Sequence, residues 1–170
     1  DAIADDAADP ESAHDVARGY LEAGATLANV GLLVAHSKHH LHSHYLIRNS
    51  ELAGLTDGEI DVIAQIARYH RKSAPKPSHP AFAALEPATQ RLVRTLAAVL
   101  RVAIGLDRRH EQRVTGVAAT IGDDDTLTIT VRGDGERGVT LEVYAANERS
   151  ALLADVLDRP VDVASVVSDT

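Results

Sequence analysis

The stretch RTLAAVLRVAIGLDRRHEQRVTGVAATIG, Arg94–Gly122, changes its hydrophobic period partway along, and that change decides the fold class. Up to about His110 the apolar residues recur at helical spacing. Leu92, Leu96, Val99, Leu100 and Ala103 form the expected core stripe of a helix that opens at Pro87, a residue suited to a first turn. From Arg113 the period becomes two. VTGVAATIG, then DDD, then TLTITVRG read as a β-hairpin with alternating faces. The fold class is therefore α+β: mainly helical through residue 111, then a small antiparallel hairpin-and-strand region with one short helix over residues 112–170.

Outward toward the N-terminus, Ser12 with Asp15 reads as a helix start, and that helix is expected to run on to a break at Gly31. Ser37 is placed to cap the next helix, KHHLHSHYLIRNS. Thr56 and Glu59 form a T-x-x-E capping box for DGEIDVIAQIARYHRK, in which Ile60, Ile63, Ala64 and Ala67 share one buried face. SAPKPSHP, with three prolines in eight residues, is a loop. Toward the C-terminus, DGERG turns the chain into VTLEVYAA, read as a possible third strand. NERSALLADVL is a short helix capped by Asn147, VDVASVV is a last strand, and the tail after Val167 is expected to fray. The second region thus reads as ββ(β)αβ.

Composition narrows the function classes. Apolar residues make up 45% of the 170, enough for a core, and there is no cysteine, which excludes disulfides, thiolate zinc sites and cysteine nucleophiles. No apolar run approaches a membrane span. The N-terminus DAIADDAAD is acidic, unlike a signal peptide, and the missing initiator Met suggests a piece of a longer chain. Lys+Arg is 17 against Asp+Glu 25, with three lysines and sixteen aspartates. An Asp-rich, Lys-poor surface suits high salt and points to a halophile's cytoplasm. The charge is uneven: residues 36–110 carry net +5, between an acidic start and an acidic end. A basic, histidine-rich middle in an acidic protein suggests an anion-facing surface.

Three basic elements lie in that middle. HSKHHLHSHYLIRNS, His36–Ser50, packs five histidines into nine residues. On a helix His36, His40 and His44 would share a face, as would His39 and His42. Such pairs can chelate a divalent metal, but no carboxylate precedes Glu51 and Lys38 sits inside the cluster. An anion suits the same residues, since imidazoles, Ser37, Ser43 and Lys38 near a helix start can meet phosphate oxygens. Partly buried histidines bonding neighbouring loops are the third possibility. RYHRKS gathers Arg68, His70, Arg71 and Lys72 at a helix end, where the dipole alone could favour them. Arg94, Arg101 and Arg108 recur every seven residues. Together these elements suggest a groove for a polyanion. Aromatic residues are scarce, so nucleic acid is not the expected partner. No Gly-rich phosphate loop, HExxH or GxSxG occurs, and the Asp107–His110 pair is weak ground for acid–base work.

HSKHHLHSHYLIRNSELAGLT, IARYHRKS and LAAVLRVAIGLDRRH, in this order and spacing, resemble the C-terminal region of the Ppx/GppA family of exopolyphosphatases and guanosine pentaphosphate phosphohydrolases. The resemblance implies an HD-like helical domain over residues 1–111, truncated at its N-terminus, and a small C-terminal subdomain over 112–170. It also implies a homodimer and an N-terminal actin-like phosphatase module outside this chain, where Mg²⁺ and the catalytic carboxylates belong. On that reading this chain holds no catalytic residue, metal or cofactor of its own. It would bind polyphosphate or another phosphorylated polyanion through His36, Ser37, Lys38, His40, His42, Arg68, His70, Arg71, Lys72, Arg101 and Arg108. In TLANVG, Ala28 and Asn29 stand where an HD domain's metal-binding His-Asp pair would be, and Ile104 replaces a possible Asp ligand, though Asp107 remains. Two alternatives stay open: an independent metal-dependent HD-type phosphohydrolase, and a purely structural or oligomerising domain.

Overall fold

The computed structural model describes residues 10–134 and 138–166. Two compact units divide at Ala97/Ala98.

The first unit is helical. It comprises α1 (Pro10–Leu27), a 3₁₀ turn (Val30–Leu33), α2 (His39–Arg48), α3 (Asp57–Tyr69), the single-turn α4 (Pro80–Ala83) and the first half of α5 (Pro87–Leu106). The central element is α3. Its sequence is apolar on more than one face, and the structure buries Ile60, Val62, Ile63, Ala64, Gln65, Ile66, Ala67 and Tyr69. The expected capping box is formed: Thr56 Oγ1 accepts from the Glu59 amide, and the Glu59 carboxylate accepts from the Thr56 amide at 2.7 Å. Glu59 also ties α1 to α3, because Tyr20 Oη donates to Glu59 Oε1 at 3.1 Å. Burial first, then this bond to a carboxylate, pushes the Tyr20 phenol up to about 12. Arg48 of α2 reaches Asp61 of α3 at 2.7 Å. The proline-rich segment is a loop, as its composition requires. Pro75 is buried and its carbonyl accepts from Arg94 Nη1 at 3.1 Å.

Three helix-boundary expectations are corrected. Ser12 lies inside α1, so it is not the cap; Pro10, compatible with a first turn, already belongs to the helix. The first helix ends at Leu27, and Gly31 falls in the 3₁₀ turn instead of marking the break. Ser37 does not cap α2. Lys38 holds that position in the left-handed region (φ 55°), with no side-chain bond to the helix. The stripe of α5 is also displaced. Its buried residues include Val93, Leu96, Ala97 and Leu100, an i, i+3, i+4, i+7 set, whereas Val99 and Ala103 are exposed. Weighting the bulky leucines hid the smaller alanine-containing face.

The second unit contains the rest of α5, a three-stranded sheet and two short helices. β1 (Val114–Ile121) and β2 (Leu127–Gly133) form the expected hairpin, antiparallel in register Ala119 with Ile129, with a bulge near Val114. Asp124 shapes its turn by accepting from the amide and hydroxyl of Thr126. β3 (Val161–Ser165) lies beside β2 in parallel, giving sheet order β1-β2-β3, so the region is not wholly antiparallel. The crossover is made by α6 (Thr140–Asn147) and α7 (Ala151–Leu157). VTLEVYAA is thus helix, not strand. Its buried Val139, Glu142, Ala145 and Ala146 follow helical spacing, and Ala146 packs on Gly105 so closely that a Cβ there would come within 2.6 Å of the Ala146 nitrogen. Asn147 ends α6 instead of capping α7. Its side-chain amide brackets β3, donating to the Val163 carbonyl at 2.7 Å and accepting from the Val163 amide at 2.9 Å. The central residues of DGERG and the tail after Val167 lie outside the described residues.

Candidate anion site

The site lies in the first unit, where the start of α2 meets the end of α3. These elements are joined by buried contacts that begin at the 3₁₀ turn. The Gly31 amide donates to Ser43 Oγ at 2.9 Å, and Ser43 Oγ donates to the Ala28 carbonyl at 2.7 Å. Ser43, which the sequence reading offered to an anion, is therefore buried and committed to backbone. With α2 fixed in this way, its N-terminus faces the turn after α3. A cavity of about 480 Å³ opens there, lined by His36, Ser37, Lys38, His40, Leu41, Arg71 and Lys72.

Six of the expected site residues therefore converge: His36, Ser37, Lys38, His40, Arg71 and Lys72. No carboxylate is among the residues that line this cavity. Lys38 and Lys72 both take left-handed backbone conformations, with φ of 55° and 60°. Such geometry in a non-glycine residue persists only where the surroundings enforce it. The start of α2 carries the positive end of the helix dipole, and the Leu41 amide there donates to the Lys38 carbonyl at 2.8 Å. Lys38, Arg71 and Lys72 add full charges to that end.

The remaining expected residues lie elsewhere. Arg68 is half-buried, its guanidinium 5.1 Å from the centre of the Tyr69 ring, and His42 is half-exposed on α2. His70 is buried behind the cavity. Arg101 and Arg108 belong to the second unit. Arg101 is half-buried there, its pKa lowered by burial and by Arg149, and Arg108 is exposed. Asp107 and His110 do approach, at 3.3 Å, on an exposed surface of that unit. His36 precedes α2, so the expected i, i+4, i+8 face of His36, His40 and His44 does not form.

His39, absent from the set expected from sequence, also belongs to this region. It is buried and stacks on His70 with ring centres 5.4 Å apart and planes inclined by 23°. Arg71 Nη1 lies 3.2 Å from its Nδ1 and 3.3 Å from its Nε2. In sequence His39 is one histidine among five, and its distinction depends on meeting a residue 31 positions away.

Burial first, then the charges of Arg71, His39, Arg68 and Lys72, pushes His40 down to about 4. Burial likewise takes His70 down to about 4, against its bond to the Ala67 carbonyl, and lowers His39 against its bond to His36. These three rings are neutral near pH 7, so the standing charge comes from lysine and arginine. His40 Nδ1 is buried and has no hydrogen-bond partner. The arrangement offers donors and positive charge to an oxyanion. It offers a cation only imidazoles beside a guanidinium.

One unit is helical and carries a basic pocket whose lining has no carboxylate, and the other holds a small three-stranded sheet, which defines the class as α+β. The description "Ppx/GppA phosphatase, domain III" matches residues 3–147, and the chain belongs to that family. It is 32% identical over 114 residues to a guanosine-5'-triphosphate,3'-diphosphate pyrophosphatase of Pseudoalteromonas translucida (strain TAC 125). The match covers 67% of this chain and 22% of the relative's length. No helix among the described residues is long and apolar enough to cross a membrane.

Proposed function

We propose that this domain holds a condensed phosphate chain in the cavity between α2 and α3, while hydrolysis belongs to a module outside the chain. The observation that carries this reading is the meeting of Lys38, Arg71 and Lys72 with His36, Ser37 and His40 around one cavity whose lining contains no acid. Arginine forks and lysine ammonium groups match phosphoryl oxygens, and a helix N-terminus adds its dipole. Membership of a phosphatase family makes a phosphorylated substrate the natural ligand. A guanosine polyphosphate, suggested by the relative's name, is the second reading. The lining favours the first, because apart from imidazoles it offers no aromatic ring on which a base could stack.

The same reading takes the first unit as HD-like without its metal. Ala28 is buried and contributes only a methyl group, so the residues do not fit an ion held by a His-Asp pair at that position. It further places the protein as a homodimer in the cytoplasm of a cell with high internal salt, a setting supported by the Asp-rich, Lys-poor composition.

The test is a titration of the chain with long-chain polyphosphate at several salt concentrations. Saturable binding is expected. By analogy with other polyanions, three cationic contacts should give a log–log salt slope of roughly −2 to −3. Absence of binding at low salt, together with a concentration-dependent dimer, would favour a purely oligomerising domain.

A further inference from the structure

The buried histidine pair behind the cavity contains a proton-counting problem. Three polar contacts run in series: His39 Nδ1 to the His36 carbonyl at 3.2 Å, His39 Nε2 to His70 Nε2 at 3.4 Å, and His70 Nδ1 to the Ala67 carbonyl at 2.6 Å. Carbonyl oxygens only accept, so all three contacts are hydrogen bonds together only if both Nδ1 atoms donate. Two neutral imidazoles carry two ring protons, and both are then spent. The two Nε2 lone pairs are left facing each other. In the structure Arg71 relieves this shortage, because its Nη1 lies 3.2 Å from His39 Nδ1 and 3.3 Å from His39 Nε2 and can donate to either nitrogen. Arg71 also lines the cavity.

An oxyanion in the cavity changes both terms. It draws the Arg71 guanidinium into charge-assisted bonds, and it brings negative charge toward a pair surrounded by positive groups. The charged and titratable groups acting on the two rings are His36, His40 and His42 from the α2 segment and Arg71 from beyond α3, and none is a carboxylate. Once Arg71 turns to the anion, the His39 ring loses that donor, and one further proton satisfies all three contacts together.

We propose that this site takes its oxyanion together with one proton, drawn from solvent and lodged between His39 Nε2 and His70 Nε2. The proposal rests on the anion-binding reading above and makes that binding pH-linked. In the free protein the pair is neutral, with His70 down at about 4. Anion binding raises the proton affinity of the pair. Affinity for the anion therefore rises as pH falls between about 7 and 5, by up to tenfold per pH unit where uptake is complete.

Long-chain polyphosphate is the suitable probe, because nearly all its phosphoryl groups are interior and strongly acidic and do not titrate in this range. Calorimetric titration in buffers of different ionisation enthalpy should give an uptake of about one proton per site. His39→Asn and His70→Asn keep a donor near the Nδ1 position and delete Nε2. Each should bind the probe with the pH slope and the proton uptake lost. His110→Gln removes an exposed imidazole of the second unit and should retain both. If a buried-pair variant fails to fold, imidazole ¹⁵N shifts of the wild-type chain decide, with His39 and His70 moving from neutral to shared-proton values on binding. Binding without uptake, uptake that survives both Asn variants, or ¹⁵N shifts that stay neutral would overturn the proton slot and leave the anion site standing. No binding at any pH would overturn both.

Discussion

Replacing Arg71 and Lys72 together by alanine is expected to weaken polyphosphate binding by about two orders of magnitude, the largest functional effect of any pair in the chain. Each side chain lines the cavity, and a charge-assisted bond to a phosphoryl oxygen contributes about 1.5–3 kcal/mol. The double variant should also flatten the salt dependence, since two fewer counterions are displaced. Its thermal midpoint should fall by only a few degrees, because Lys72 is exposed and Arg71 half-buried, the loss coming from the Arg71 contact to the buried His39 ring. Arg108→Ala removes an equally positive but exposed residue of the second unit, and its affinity should remain within about twofold of the parent. Isothermal titration of the three proteins makes the comparison. Equal losses in the two variants would mean that net charge, not the cavity, governs binding.

Gly31→Ala is expected to have the largest effect on stability. Gly31 lies in the 3₁₀ turn packed on α2, and a Cβ there would fall inside contact with the His39 carbonyl oxygen and the Ser43 amide, besides lying 2.8 Å from Ser43 Oγ. Backbone cannot swing aside as a side-chain tip can. The turn must move off the helix, breaking the buried bonds from Gly31 to Ser43 and from Ser43 to Ala28. Overpacking and the lost bonds together cost about 3 kcal/mol or more. In a chain of this length that lowers the melting temperature by on the order of 10 °C. Gly19→Ala gives the contrast. Its Cβ would meet nothing within 4 Å, and in the middle of α1 alanine should stabilise by about 0.5–1 kcal/mol. Paired calorimetric scans separate the two. Similar midpoints would mean that the 3₁₀ turn is not clamped as described.

How far the sequence discloses this molecule depends on the range of the interaction involved. The T-x-x-E box of α3, the hairpin around Asp123–Asp125 and the proline-rich loop are set by neighbours in sequence, and all three are legible there. VTLEVYAA is not. Its alternation suits a strand, and what makes it helix is tertiary: Ala145 and Ala146 press on Gly105, forty residues earlier. The displaced face of α5 has a related cause, since its buried set includes an alanine that hydrophobic weighting passes over. Ser37 carries good capping chemistry, but the left-handed Lys38 occupies the cap position itself.

The candidate site divides in the same way. Charge blocks and residue type were enough to bring His36, Ser37, Lys38, His40, Arg71 and Lys72 under suspicion, because a basic segment in an acidic chain is visible from composition. Nothing local distinguishes His39 from its neighbours. Its role appears only when α2 and α3 pack and its ring meets His70 and Arg71.

The central claim, that the cavity between α2 and α3 holds a phosphate chain, is tested most directly by residue-resolved NMR of the chain during titration with long-chain polyphosphate. The expected result is saturable shift changes concentrated at His36–Leu41 and at Arg71 and Lys72, with the second unit little affected. Shift changes centred elsewhere, or none at low salt, would contradict it.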